Sequence, residues 1–279
     1  METLQNPFVF ISIFYAQEKW HELLPVIRKE LYEHPDISDQ VSESYVFFSC
    51  HRGANIRIAL KYRDPVMKKG HERIVKPINA FLAEHPSGSR DVQLPITGFF
   101  TDFPNNQVKY NLYNERVIMR GELAGFQLAL SKILLVFFED HPVDDDALFT
   151  LMVYLQETLL NALCDPKESK DELIAALIAE MKRKDIDHLP GIGELKHLES
   201  LPEMNEISGA PEIDKLLHWF EKTANVLYVK SGNKMGTFFT IMQIIHLHLF
   251  KSIHEISLDS LDYLAGQSKN ECSEGIFKN

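Results

Sequence analysis

The sequence predicts an α+β fold: an antiparallel or mixed sheet with helices packed on it, followed by a mostly helical C-terminal half. Three observations carry this. Phe8 to Tyr15 (FVFISIFY) is an aromatic, β-branched run of strand length. Tyr45 to Tyr62 (YVFFSCHRGANIRIALKY) reads as two strands joined by a tight turn at His51-Arg52-Gly53. From Glu122 onward, apolar residues recur mainly at helical spacing.

In chain order, the first strand is followed by a helix, Glu18 to Leu31, with Trp20, Leu23, Leu24, Ile27 and Leu31 on one stripe. His34 to Ser44 is polar and acidic and reads as a linker into the hairpin. In the second hairpin strand Ile56, Ile58 and Leu60 alternate with Asn55, Arg57, Ala59 and Lys61. Alternation across a strand sends the first set to a core and the second to the opposite face. That second face is either solvated or a rigid cationic row able to hold an anion. A helix from about Met67 to Ala83 turns Ile74, Ile78, Phe81 and Leu82 inward, with Pro77 a potential bend. Turn formers dominate His85 to Arg120, with a short strand near Gln107 to Tyr113. Helices are expected at Glu122–Glu139, Asp144–Leu163, Glu168–Asp185, Pro211–Tyr228 and Thr237–Glu255. Leu189 to Gly209 reads as a mobile loop. Residues 1–265 are expected to form one domain and 266–279 a disordered polar tail.

Composition narrows the function classes. A net charge of -11 argues against broad binding to nucleic acid or anionic membranes, while leaving room for a local basic pocket. The three cysteines, Cys50, Cys164 and Cys272, have no CxxC spacing and suit a reducing cytoplasm. The N-terminal apolar run lacks a basic flank and a cleavage site, and no apolar stretch is long enough to span a membrane, so a soluble cytoplasmic protein is expected.

Generic motifs add little. His246 and His248 lie two residues apart and point to different faces of a helix, so they cannot chelate one ion together. His246 shares a face with Leu249 or Phe250, so a satisfied core or interface histidine is the default reading for it. Gly191-Ile192-Gly193 follows no strand, and Asp144 to Asp146 read as a helix start. The sequence offers no metal-ligand spacing, P-loop or nucleophile elbow, and neither a metal nor a cofactor is expected.

Four ordered stretches carry a family resemblance. FVFISIFY and its helix precede YVFFSCHRGANIRIALKY, KYNLYNERVI follows, and His246-Leu247-His248-Leu249-Phe250-Lys251 lies near the C-terminus. Together they resemble the C-terminal elimination domain of lantibiotic dehydratases, also called thiopeptide-type bacteriocin biosynthesis proteins. Arg57 matches the first arginine of that family's RLR element, Tyr110, Glu115 and Arg116 its tyrosine–acid–arginine segment, and His246 its C-terminal histidine. Ala59 stands in place of the second arginine, with Lys61 two residues further along the same face. Asn55 replaces a histidine, and Phe250-Lys251 an Asn-Arg pair.

The resemblance implies removal of glutamate from glutamylated Ser or Thr of a precursor peptide, leaving dehydroamino acids. Arg57, Arg116 and His246 would then be catalytic, and Asn55, Lys61, Arg52, Tyr110 and Lys251 substrate-binding. The implied partners are the precursor peptide and a separate glutamylating dehydratase protein, with no direct tRNA or DNA binding, no membrane, and a homodimer compatible with the family pattern. Two other readings go with the same fold: formal cycloaddition forming a pyridine core, and a non-catalytic module that holds the peptide or the partner.

Overall fold

The computed structural model describes residues 7–64, 70–88, 102–112, 122–139, 141–164, 169–183, 211–249 and 259–265. The chain folds as two compact units. The first comprises Met1–Asp144 together with Leu247–Phe250, and the second comprises Asp145–His246 with Lys251–Asn279.

The first unit is built on four strands: β1 (Phe8–Phe14), β2 (Val41–Ser49), β3 (Asn55–Tyr62) and β4 (Gln107–Tyr110). They lie in the order β2-β3-β1-β4, with every neighbouring pair antiparallel. Helix α1 (Trp20–Arg28), preceded by a 3-10 turn and followed by a π-helical stretch, connects β1 to β2, and after a short α2 (Pro35–Ser38) the hairpin begins. Helix α3 (His71–Glu84) lies between β3 and β4 and runs through Pro77. The order β-α-β-β-α-β with a 2-3-1-4 sheet is the ferredoxin-like split βαβ arrangement.

Pairing determines the two faces. Ile58 is opposite Ile11 and Val46, and Ile56 is opposite Ile13 and Phe48, so the isoleucines of β3 share one face with those of β1. Helices α1 and α3 cover that face. Trp20 is fully buried with its ring 5.0 Å from that of Phe48, and its indole N–H donates to the Tyr15 carbonyl at 2.9 Å. From α3, Ile74, Val75, Ile78 and Leu82 are buried. Burial of this one aromatic and apolar layer is the main source of the unit's stability, at about 1.5–3 kcal/mol per large side chain.

Helix α4 (Glu122–Phe137) guards the outer edge of the sheet. An edge strand presents unpaired backbone groups that must be satisfied when buried. At Val46 of β2 the N–H donates to Ser131 Oγ at 3.0 Å, and the carbonyl accepts from His248 Nδ1 at 2.7 Å. Just past α4, Phe138 meets Phe48 edge-on, and Arg28 pairs with Glu139.

The second unit is helical: α5 (Asp145–Leu163), α6 (Lys170–Arg183), α7 (Pro211–Ser231), most of α8 (Lys234–His248) and a short helix at 259–265. Helix α5 is buried along most of its length, which explains an apolar content too broad for a one-sided helix. Its Gln156 Oε1 accepts from the buried Ser260 hydroxyl at 2.7 Å. Among the described residues, no helix is long and apolar enough to cross a membrane.

The α+β expectation holds, and most element boundaries fall within a few residues of those expected. One exception is β2, which begins at Val41 inside the stretch read as a linker, and another is α8, which ends at His248 and not at Glu255. Ser42, Glu43 and Ser44 look like loop residues because their side chains are polar, yet each has a partner. Ser42 Oγ donates to the Lys61 carbonyl, Ser44 Oγ to Tyr32 Oη, and Glu43 pairs with Lys61 across a register shift. The segment 189–209 and the tail 266–279 lie outside the described residues. Ser131→Ala removes the partner of a buried edge N–H and is expected to lower unfolding stability by about 1–3 kcal/mol, read from the urea midpoint.

Candidate functional site

The opposite face of the sheet carries Phe8, Phe10, Ser12 and Phe14 from β1, Asn55, Arg57, Ala59 and Lys61 from β3, Tyr45 and Phe47 from β2, and Gln107 and Lys109 from β4. It is not a solvated outer surface. Asn55 and Ala59 are fully buried, Ser12 nearly so, and Arg57 and Lys109 are partly covered.

The hairpin turn builds one end of this face. Arg52 and Gly53 both take positive φ, 59° and 104°. At Gly53 an added Cβ would meet the Phe103 carbonyl oxygen at 3.2 Å, so glycine serves both the backbone conformation and the close approach. The Asn55 amide donates to the His51 carbonyl at 3.2 Å and to the Gly53 carbonyl at 2.7 Å, locking the turn. Its Oδ1 accepts from Arg57 Nε at 2.9 Å. The residue that closes the turn therefore also aims the guanidinium. A preorganised fork of this kind suits carboxylate recognition.

Across the sheet, Phe47, Arg57, Ser12 and Lys109 form one row on four neighbouring strands. Below it, Phe103 packs on Phe14 with centroids 4.8 Å apart. The Arg52 guanidinium sits 4.2 Å from the Phe103 ring centroid and Lys109 Nζ 5.7 Å from it. The Phe103 N–H donates to the Arg52 carbonyl at 2.8 Å, latching this loop to the turn. Three cations, Arg52, Arg57 and Lys109, thus collect at the turn end of one face.

Other residues expected at the site are placed differently. Lys61 shares the face but stands four residues from Arg57, about 13 Å along the strand, with its ammonium paired to Glu43. Tyr110 pairs with Ile11 and so lies on the isoleucine face, where its ring meets His71 edge-on at 4.8 Å. The sheet separates it from Arg57. Arg116 and Lys251 lie outside the described residues. His246 belongs to α8 in the second unit, and its side chain also lies outside the described residues. Among the described residues, no group of three His, Cys, Asp or Glu side chains is arranged to hold a metal.

Ala59 occupies a packed cluster with Phe10, Tyr45 and Phe47, against which Phe8 and Leu128 lie. The rings fill the volume that a second arginine would need.

His248 is the histidine that geometry brings to this face. It is fully buried and stacked on Phe47 at 4.3 Å, with the rings 28° from parallel. Its Nδ1 must carry the proton to bond the Val46 carbonyl, which leaves the lone pair on Nε2, and that atom has no hydrogen-bond partner among the described residues. Burial pushes its pKa down to about 3, with the Val46 carbonyl partly opposing the shift. Motif position in the sequence points to His246. The i+2 spacing already showed that only one of the pair could face a given surface.

Comparison with known proteins adds the fold relationship. No protein-family model matches the chain, and no curated protein sequence does. Solved structures do match. The fold is shared with a pyridine synthase and with a lantibiotic dehydratase, as the sequence resemblance implied. The pyridine synthase TbtD from thiomuracin biosynthesis matches with a TM-score of 0.61 and 12% identity, over 94% of this chain and 99% of that one. The tRNA-dependent lantibiotic dehydratase MibB from Microbispora sp. 107891 matches with a TM-score of 0.53 and 12% identity, over 98% of this chain and 29% of that one.

Two outcomes are expected here. Ala59→Arg forces a long cation among four packed rings and destabilises the chain by more than about 2 kcal/mol, measured by chemical denaturation. His248 binds its proton less tightly in the folded chain than in the unfolded one, so its contribution is complete above about pH 6.5. It is lost as pH falls toward about 3, at up to about 1.4 kcal/mol per pH unit. His248→Asn keeps a donor for Val46, and its denaturation midpoint should fall less steeply than wild type across that window.

Proposed function

We propose that the chain is an enzyme of ribosomal peptide modification that releases glutamate from glutamylated Ser or Thr of a precursor peptide. The observation that carries this reading is the tethered Arg57. Its guanidinium is fixed by a buried amide on a partly covered sheet face that holds two further cations.

β-Elimination needs a base for the peptide Cα proton and a stabilised departing carboxylate. As the Cα–H bond breaks, its electron pair becomes the second bond between Cα and Cβ. The Cβ–O bond breaks with its pair on the carboxylate oxygen, and glutamate leaves. Arg57 suits that developing carboxylate, because an oriented fork needs little reorganisation when charge forms. In this reading Arg116 steadies the enolate or the glutamate; the acid–base role of His246 is what the family resemblance alone implies. Asn55 supports Arg57, and Arg52 lies beside the site. Lys251 enters as a peptide contact, and Lys61 contributes through Glu43 at the far end of the face, while Tyr110, on the isoleucine face, lies apart from this site. A separate glutamylating protein supplies the substrate.

A second reading has its own support. The likeness to the pyridine synthase extends over nearly the whole of both chains, and Ala59 in its aromatic cluster removes one of two expected arginine forks. Under that reading the chain closes a ring between two dehydroamino acids of an already dehydrated peptide.

Mass spectrometry separates the two. Wild-type chain incubated with glutamylated precursor is expected to yield dehydrated peptide, whereas Arg57→Ala leaves ester behind with a rate lowered about 100- to 1,000-fold. Ester left intact by the wild type, together with ring formation from a dehydrated peptide, decides for the second reading.

A further inference from the structure

The missing second arginine raises a physical question: what would hold the other charge of the leaving group? Departing glutamate carries two carboxylates. One is released only when the Cβ–O bond breaks, and the other is anionic throughout. A single fork cannot serve both.

Two independent observations place Lys109 on the face of Arg57. Ser12 of β1 is directly opposite Arg57 on one side and Lys109 on the other, and residues opposite each other in an antiparallel pair project to the same side. Separately, Lys109 Nζ lies 5.7 Å from the Phe103 ring, which packs on Phe14, itself opposite Asn55. The two cationic residues stand two strands apart, about 10 Å at the backbone, and both side chains rise from the same surface. Lys109 makes no ion pair among the described residues, and its cation–π contact leaves the ammonium able to meet an anion. Lys61, on the same strand as Arg57 but farther from it, is already paired with Glu43.

We propose that Lys109 is a substrate-binding residue that holds the permanently charged side-chain carboxylate of the leaving group, while Arg57 takes the carboxylate that forms. This rests on the elimination reading above and makes the site one for a five-carbon dicarboxylate. The division follows from the two side chains. The guanidinium, locked by Asn55, fits a charge that develops in a fixed place. The ammonium, on a flexible stem, fits a charge already present when substrate arrives. Lys109 therefore governs substrate affinity and discrimination more than the rate of bond breaking.

The test titrates the full chain with glutarate and with glutarate monoamide, which lacks one negative charge. Wild type is expected to prefer glutarate about tenfold, Lys109→Gln to bind both alike, and Lys109→Arg to recover most of the preference. With glutamylated peptide, Lys109→Gln should raise KM about tenfold and leave kcat within about twofold. An unchanged glutarate preference in Lys109→Gln, or no preference in the wild type, overturns the proposal. If Lys109→Gln loses the preference but wild type leaves the ester intact, the dicarboxylate site stands and the elimination reading falls. If ester is eliminated with the same KM in both proteins, the elimination reading stands and the role of Lys109 falls.

Discussion

The pairing of β1 along its whole length with β3 is the constraint on which the first unit depends. Seven consecutive partners, from Phe8↔Lys61 to Phe14↔Asn55, fix which side chains meet. A slip by one residue would send Ile56, Ile58 and Leu60 away from the helices and bring Asn55 and Arg57 into an apolar layer. The cost of burying those polar groups without partners specifies the register. The same register then sets Arg57 beside Ser12, and through Ser12 opposite Lys109. The candidate site is a direct result of the strand alignment that builds the core.

Within that frame Asn55 couples local geometry to chemistry. It is fully buried, and its amide is shared between two turn carbonyls and the Arg57 Nε. Neither the turn nor the arginine is independent of the other. Phe103 extends the coupling, since its backbone is bonded to Arg52 and its ring lies between the turn and β4. Cations held by aromatic rings and fixed amides lose little freedom on meeting an anion, which is how a chain with net charge -11 can still offer a local basic site.

Much of this was legible in the sequence. The period-two pattern in NIRIALKY assigned both faces of β3 correctly, because pleat geometry leaves no alternative. Other features were hidden for identifiable reasons. Ser42, Glu43 and Ser44 read as linker because polar side chains at an edge resemble a loop until their cross-strand partners are known. Lys109 sits in a four-residue strand, QVKY, too short to display a period, and only its pairing to Ser12 shows which face it joins. Tyr110, its neighbour, was singled out by motif position and falls on the other face by the same alternation. Motif position points to His246, and nothing along the chain indicates that residue 248 is the one that reaches Val46.

The side-chain bonds at Val46 bear on how this sheet can associate. A strand at the edge of a sheet is normally a template onto which another extended chain can be zipped, hydrogen bond by hydrogen bond. Here the outward N–H and carbonyl at the middle of β2 are already engaged by a hydroxyl and an imidazole. An incoming strand would have to expel both before it could register. On this side the sheet is closed to growth, and a peptide meeting the protein along β2 must be recognised by its side chains and not by strand addition.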